Sequence, residues 1–186
     1  MSNKIFLQKL GFIPKNNVSG IFYKNYQAVG NYCVEVDFEK EKFNFGNKIK
    51  SESGTILNFS QEENWVVFEC VDRLLEKGYK PKDIVLEKTF KVGHGASGGR
   101  LDIFVEKEGN AFLMVECKTF GKEFEKELKN ISKDGGQLFT YFQNDTNAEI
   151  LMLYTSQLFN NKIDFKSEII KIEDNYRNAG KVEDVF

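Results

Sequence analysis

Three short apolar runs, Ile84 to Phe90, Leu101 to Val105 and Phe112 to Cys117, lie between a long helical pattern and a second helical region, and a further apolar run follows at Ile150 to Thr155. This order, helix then three strands then helix then strand, predicts a mixed α/β sheet sandwiched by helices. The first helix runs from Ser60, where Ser60 and Glu63 stand in capping-box spacing, through an apolar stretch to Leu75, with stop signals at Gly78 and Pro81. The second helical region is broken or re-nucleated near Asp134-Gly135-Gly136.

Before this unit, residues 20 to 46 alternate. Tyr32, Val34, Val36 and Phe38 fall on one strand face, and Cys33, Glu35, Asp37 and Glu39 on the other. The pattern predicts a small antiparallel meander whose acidic side faces water, joined to the rest through the stretch Gly46 to Gly54. After it, Ser167 to Arg177 reads as another helix ending near Gly180, and the apolar terminus Val185-Phe186 suggests a segment of a longer polypeptide. The expected division is an accessory β segment over 1–58, a core over 59–160, and a helical extension or linker over 161–186.

Composition excludes some classes. A net charge of -2 is unlike a free-standing nucleic-acid binder, which carries a basic excess. Cys33, Cys70 and Cys117 are odd in number, lack CxxC spacing and sit in apolar segments, which fits a reducing, cytoplasmic setting. The start, MSNKIFLQKLGFIPKN, is too short and polar for a signal peptide, and no run approaches the ~18 apolar residues of a membrane span.

The chemistry concentrates at strand ends. Acidic-x-Lys occurs at Glu116–Lys118, Glu127–Lys129 and Asp164–Lys166, but Glu127 and Lys129 fall in a charged, solvated-looking helix, and Asp164 and Lys166 among polar residues. Only Glu116 and Lys118 close an apolar strand, on one face of it. A turn at Lys107 to Asn110 would make the two preceding strands a hairpin, bringing Asp102 beside Glu116. Paired carboxylates repel unless a cation lies between them, and oxygen ligands at this density suit Mg²⁺ or Mn²⁺. The competing arrangement is an Asp102–Lys118 ion pair with Glu116 in solvent.

Other residues carry two readings. Glu63 shares a stripe with Val67, Val71 and Leu74 and so points inward as a third acid, or else completes the capping box. Glu69 groups with Asp72, Arg73 and Glu76 on the wet side. Gln137 and Tyr141, four apart, form a DNA-facing helix end with Asp134 as N-cap and free amides toward a phosphate, or a solvated polar pair. Arg100 contacts a phosphate or pairs with a carboxylate. The loop Lys91 to Arg100 holds the only His, His94, and lacks both a phosphate-loop ending and zinc-ligand spacing.

The run Gly99-Arg100-Leu101-Asp102-Ile103, then Val115-Glu116-Cys117-Lys118, then Gln137-Leu138-Phe139-Thr140-Tyr141 resembles the PD-(D/E)xK and QxxxY motifs of the nuclease domain of type I restriction enzymes and related single-chain restriction-modification enzymes. The likeness covers roughly Ser60 to Thr155 and departs at Leu101, where the motif has proline. It implies a restriction-endonuclease-like fold, Mg²⁺ (or Mn²⁺) held by Asp102 and Glu116, a catalytic Lys118, and Gln137 and Tyr141 beside double-stranded DNA. It also implies partner modules, a methyltransferase, a specificity subunit and a motor. The alternatives are a repair nuclease or junction resolvase of the same fold, or a nuclease-like module kept for binding or assembly.

Overall fold

Two tight turns start antiparallel pairings of the main sheet, and the first pairing shifts by one residue between Val105 and Glu106. Glu108 and Gly109 (φ 55° and 81°) join β7 (Arg100–Lys107) to β8 (Asn110–Cys117), and Asn160 and Asn161 (φ 46° and 60°) join β9 (Ile150–Phe159) to β10 (Lys162–Lys171). Positive φ at both central residues is the turn geometry whose twist matches paired antiparallel strands, and Asn and Gly tolerate it best. The computed structural model describes residues 3–90 and 99–172. His94 and the segment from 173 onward, including the expected helix end near Gly180, lie outside the described residues.

The six-stranded sheet has the order β10-β9-β8-β7-β6-β5, with β5 at Lys50–Ser51 and β6 at Ile84–Thr89. β6, β7 and β8 form an antiparallel meander, as their spacing predicts, and β9 runs parallel to β8. That parallel return requires a crossover. Two helices supply it, α3 (Lys122–Asp134) and α4 (Gly136–Phe142), meeting at the expected Gly135-Gly136 break. At Gly136 φ is +55°, and an added Cβ would lie 2.5 Å from the Glu127 carboxylate, so both backbone and space demand glycine.

The second sheet is the expected N-terminal meander: β1 (Ile13–Pro14), β2 (Ile21–Tyr26), β3 (Tyr32–Asp37) and β4 (Lys42–Asn44), all antiparallel, preceded by α1 (Asn3–Lys9). Tyr32, Val34 and Val36 are buried, while Cys33, Glu35 and Asp37 are half-buried. Cys33 is therefore more open than its apolar context suggests, whereas Cys70 and Cys117 are buried, and all three are free.

Helix α2 (Glu62–Glu76) lies between the two sheets and shares one apolar core with both. Phe68 stacks on Phe43 of β4 at 4.6 Å, and Trp65 meets the same ring edge-on at 4.8 Å. Segment 46–54 is more than a connection, because β5 within it pairs with β6 and ties the N-terminal part to the main sheet.

Three expectations fail here for physical reasons. The Ser60–Glu63 capping box does not form: the N-cap is Gln61, with no side-chain bond, while Asn58 Oδ1 accepts from the Ser60 amide and Asn64 ties the entry through its side-chain amide. Glu69 and Asp72 are not on a wet face. Because α2 is covered on both sides, Asp72 is buried against Lys24 (2.7 Å) and Tyr26 (2.7 Å) of β2, and Glu69 is buried against Arg73 and the Tyr154 hydroxyl of β9. A single hydrophobic stripe identifies one buried face and is blind to a second one closed by ion pairs. The helical extension is also corrected, since Lys162–Lys171 is a strand pairing antiparallel to β9 along its whole length. The Asn160-Asn161 dipeptide was its turn signal.

Among the described residues no helix is long and apolar enough to cross a membrane. The buried Glu69 yields a test of this packing. Glu69→Ala leaves Arg73 and the Tyr154 hydroxyl without their buried partner and should destabilise the chain by about 3 kcal/mol, while Tyr154→Phe, which removes the hydroxyl's two bonds to Glu69 and Arg73 but keeps the Glu69–Arg73 pair, should cost about 1–2 kcal/mol. Urea unfolding measures both, and equal small losses would refute the buried network.

Candidate active site

The β7–β8 register sets Ile103 opposite Val115, so Asp102 and Glu116 stand next along the two strands on a shared face. The residues that alternate with them, Phe104 and Met114, pack under α3 and α4, whereas Ile103, Val115 and Cys117 face the α2 side. Both carboxylates thus emerge from an apolar layer. Asp102 Oδ2 accepts from the Cys117 amide at 2.7 Å, taking the place of a ladder partner where β8 ends.

Glu116 is only 2% exposed, and its Oε2 has no hydrogen-bond partner among the described residues. Its other oxygen accepts from Lys118 Nζ at 2.5 Å. Lys118 follows the last residue of β8, held by its amide to the Tyr154 carbonyl (2.9 Å), and its ammonium also lies 3.9 Å from Glu63 at the start of α2. The sequence-predicted residues Asp102, Glu116, Lys118 and Glu63 are therefore brought together. The competing pairing, Asp102 to Lys118 with Glu116 in water, is not what forms.

Electrostatics follow from this crowding. Burial pushes the Asp102 carboxyl up to about 7, against the pull of the Cys117 amide and with a further push from Glu63. Burial and then the Asp102 charge hold Glu116 well above the usual carboxylate range. Burial raises Glu63 as well, with Lys118 opposing. For Lys118 burial works toward neutrality, but Glu116, Glu63 and Asp102 outweigh it and keep the ammonium protonated. Lys118 is thus a donor and fixed positive charge in this state rather than a base.

Around this group the structure revises several roles. Tyr141 is buried, and its hydroxyl donates to the Arg100 carbonyl at 3.0 Å, two residues before Asp102. An added Cβ at Gly99 would lie 2.7 Å from the Tyr141 ring, so the strand start rests directly on that ring. Burial, followed by the Glu116 and Asp102 charges, raises the Tyr141 hydroxyl, and a Gln137 side-chain bond opposes this. Gln137 and Tyr141 do share a helix face, with Gln137 exposed.

The Gln137 amide is not free for a phosphate, however. It donates to Glu127 Oε1 at 2.9 Å, the N-cap is Gly135, and Asp134 accepts only from the Gly136 amide (3.2 Å). Glu127, expected in a solvated helix, is buried, because α3 turns back onto α4 and needs an acceptor there. Arg100 takes the carboxylate reading, bonding Ser53 (2.8 Å) and lying 3.7 Å from Glu87.

Glu87 is the acid that sequence reasoning missed. It sits in β6 at φ 55° without shifting the strand's register, is 1% exposed, and is held by Ser51 (2.7 Å) and the Thr55 amide (3.1 Å). Burial opposes its charge, but these donors win and keep its carboxyl below the usual range, so its charge adds to the upward push on Asp102. A lone Glu after Ile84-Val85-Leu86 was the available signal.

Among the described residues no group of three or more His, Cys, Asp and Glu is placed to hold a metal ion. What exists is a two-carboxylate set with an unpartnered buried oxygen on Glu116, and hard oxygen donors of this kind fit Mg²⁺ or Mn²⁺, whose remaining positions water fills. No protein-family model matches the chain, and no curated protein matches it.

The raised Asp102 carboxyl gives a signed prediction. The folded chain holds this proton up to about 7 while the unfolded chain releases it near 3.8, so between those values the native state binds more protons and stability falls as pH rises. Metal-free wild type should therefore lose several degrees of Tm relative to Asp102→Asn as pH goes from about 4 to about 8. Parallel Tm curves for the two proteins would refute the assignment.

Proposed function

We propose that this chain is a Mg²⁺-dependent endonuclease domain of restriction-endonuclease-like fold that hydrolyses phosphodiester bonds of double-stranded DNA. The observation that carries the reading is the convergence of Asp102, Glu116 and Lys118 at one sheet end, with both carboxyls raised and one Glu116 oxygen unsatisfied. Two acids and one ammonium leave this pocket short of positive charge, a deficit that either protons or a divalent cation can fill. Asp102 and Glu116 would hold the ion, with Glu63 at its edge. When bound, it would supply Lewis acidity toward a phosphate and favour ionised water.

The remaining work falls to this chain's own groups. Lys118, kept protonated, can donate to a phosphate oxygen and stabilise charge developing at phosphorus. The Cys117 amide and the Tyr141 hydroxyl fix the strand carrying Asp102, so Tyr141 acts by positioning, and exposed Gln137 is the member of that pair able to reach a DNA backbone. The net charge of -2 supports a division of labour in which further modules of a restriction-modification enzyme supply target recognition.

Calorimetry with Mn²⁺ near pH 7, in buffers of different ionisation enthalpy, should show binding coupled to proton release. Asp102→Ala and Glu116→Ala should each abolish it. Plasmid cleavage with Mg²⁺ should fall ~10²-fold or more in Lys118→Ala with Mn²⁺ binding largely retained, and five- to fifty-fold in Gln137→Ala. Equal Mn²⁺ affinity in wild type and the double Asp102→Ala, Glu116→Ala protein would remove the metal site, and full cleavage by Lys118→Ala would remove the catalytic role. Tight DNA binding with no cleavage by wild type would favour a binding module.

A further inference from the structure

A cleft of about 380 Å³ opens next to the candidate active site, between the first turn of α2 and the end of β9. Its lining interleaves with the site along the chain: Glu62 precedes Glu63, and Thr119 and Phe120 follow Lys118. The volume lies within the ~300–1,000 Å³ of small-molecule pockets. Phe59 and Trp65, 4.8 Å apart, form one aromatic flank, and both rings are only half-buried. Phe120 adds a third ring, with the exposed Lys166 ammonium 5.1 Å from its centroid and 3.4 Å from the Glu125 carboxylate, a surface pair that a backbone phosphate would have to share or displace.

The rest of the lining is largely polar, with Asn3, Ser60, Glu62, Thr119, Ser156 and Gln157. Ser156 is 5% exposed, and its buried hydroxyl has no hydrogen-bond partner among the described residues. A buried hydroxyl without a partner costs on the order of 1–3 kcal/mol, which a turn of the Ser156 side chain onto a ligand in the adjoining cleft would relieve. Gln157 offers a donor and an acceptor, and Glu62 an acceptor at the rim. Flat aromatic surface, a few hydrogen-bonding groups and a cation at the edge suit a planar heterocycle attached to a phosphate, and enzymes that extrude a base from DNA receive it in pockets of this composition.

We propose that this cleft holds a nucleobase of the DNA substrate turned out of the helical stack beside the cleaved phosphate. The proposal rests on reading the neighbouring carboxylates as a phosphodiesterase site. The base stacks on the Trp65 and Phe120 rings and hydrogen-bonds with Ser156 and Gln157, and Lys166 neutralises the adjoining backbone.

Trp65 is the chain's single tryptophan, so tryptophan fluorescence reports on this one position between the cleft and the Phe43 and Phe68 rings of the core. In metal-free protein, each of the four deoxynucleoside 5′-monophosphates is titrated against 2-deoxyribose 5-phosphate, which carries the sugar and phosphate without a base. The expected result is saturable quenching by at least one monophosphate and none by the sugar phosphate. Phe120→Ala should weaken the binding about ten-fold and Ser156→Ala about five-fold, with urea midpoints showing that both variants fold. Equal responses to sugar phosphate and monophosphates, or no response to any of them, overturns the proposal. The two readings fail separately. Quenching in a protein that cuts no DNA supports the base cleft and removes the nuclease reading, whereas cleavage with a silent Trp65 overturns the cleft and leaves the nuclease reading in place.

Discussion

Holding Asp102 and Glu116 side by side beneath α3 and α4 is unfavourable in isolation, because each carboxylate loses hydration and gains a like charge. The surrounding structure offsets this with directed partners. The Cys117 amide points at Asp102, Lys118 lies on Glu116, and Tyr141 fixes the backbone at Arg100. Among the described residues the arrangement remains incomplete at Glu116 Oε2, and a proton or a cation would fill the gap.

The register that creates the pair depends on elements far from it. The Glu108-Gly109 turn starts the β7–β8 pairing and an irregularity between Val105 and Glu106 shifts it by one residue, without which Asp102 would stand opposite Val115 and the two acids would lie on opposite faces. At Glu87 the backbone turns to φ 55° without shifting the β6–β7 register, and this further carboxylate adds to the charge felt by Asp102. Helix α2, closed on both sides by the two sheets, carries Glu63 to Lys118. Its buried contacts Asp72–Lys24 and Glu69–Tyr154 couple the N-terminal sheet and β9 to the position of that first turn.

Much of this was legible in the residues. Period-two alternation, the turn at Lys107 to Asn110 and the Gly135-Gly136 break locate the meander, the hairpin and the crossover, while the register shift between Val105 and Glu106 that sets Asp102 against Glu116 left no mark in the residues. What escaped the sequence were contacts made by polar residues at a distance. Glu69, Asp72 and Glu127 read as solvated because their types are solvated on average, yet each is buried against a partner 4 to 85 residues away in sequence. The β10 strand was hidden behind a polar run, its hairpin signal resting on Asn160 and Asn161 alone. Asp134 looked like an N-cap because spacing cannot reveal that Glu127 reaches the Gln137 amide first.

The central claim is that the paired carboxylates form a cation site and not merely a proton-sharing pair. Anomalous diffraction from crystals of the chain soaked in Mn²⁺ near pH 7 tests it most directly. The account predicts a Mn²⁺ peak bonded to Asp102 and to Glu116 Oε2, with Lys118 still within reach of Glu116. Well-ordered carboxylates with no Mn²⁺ peak between them would contradict it.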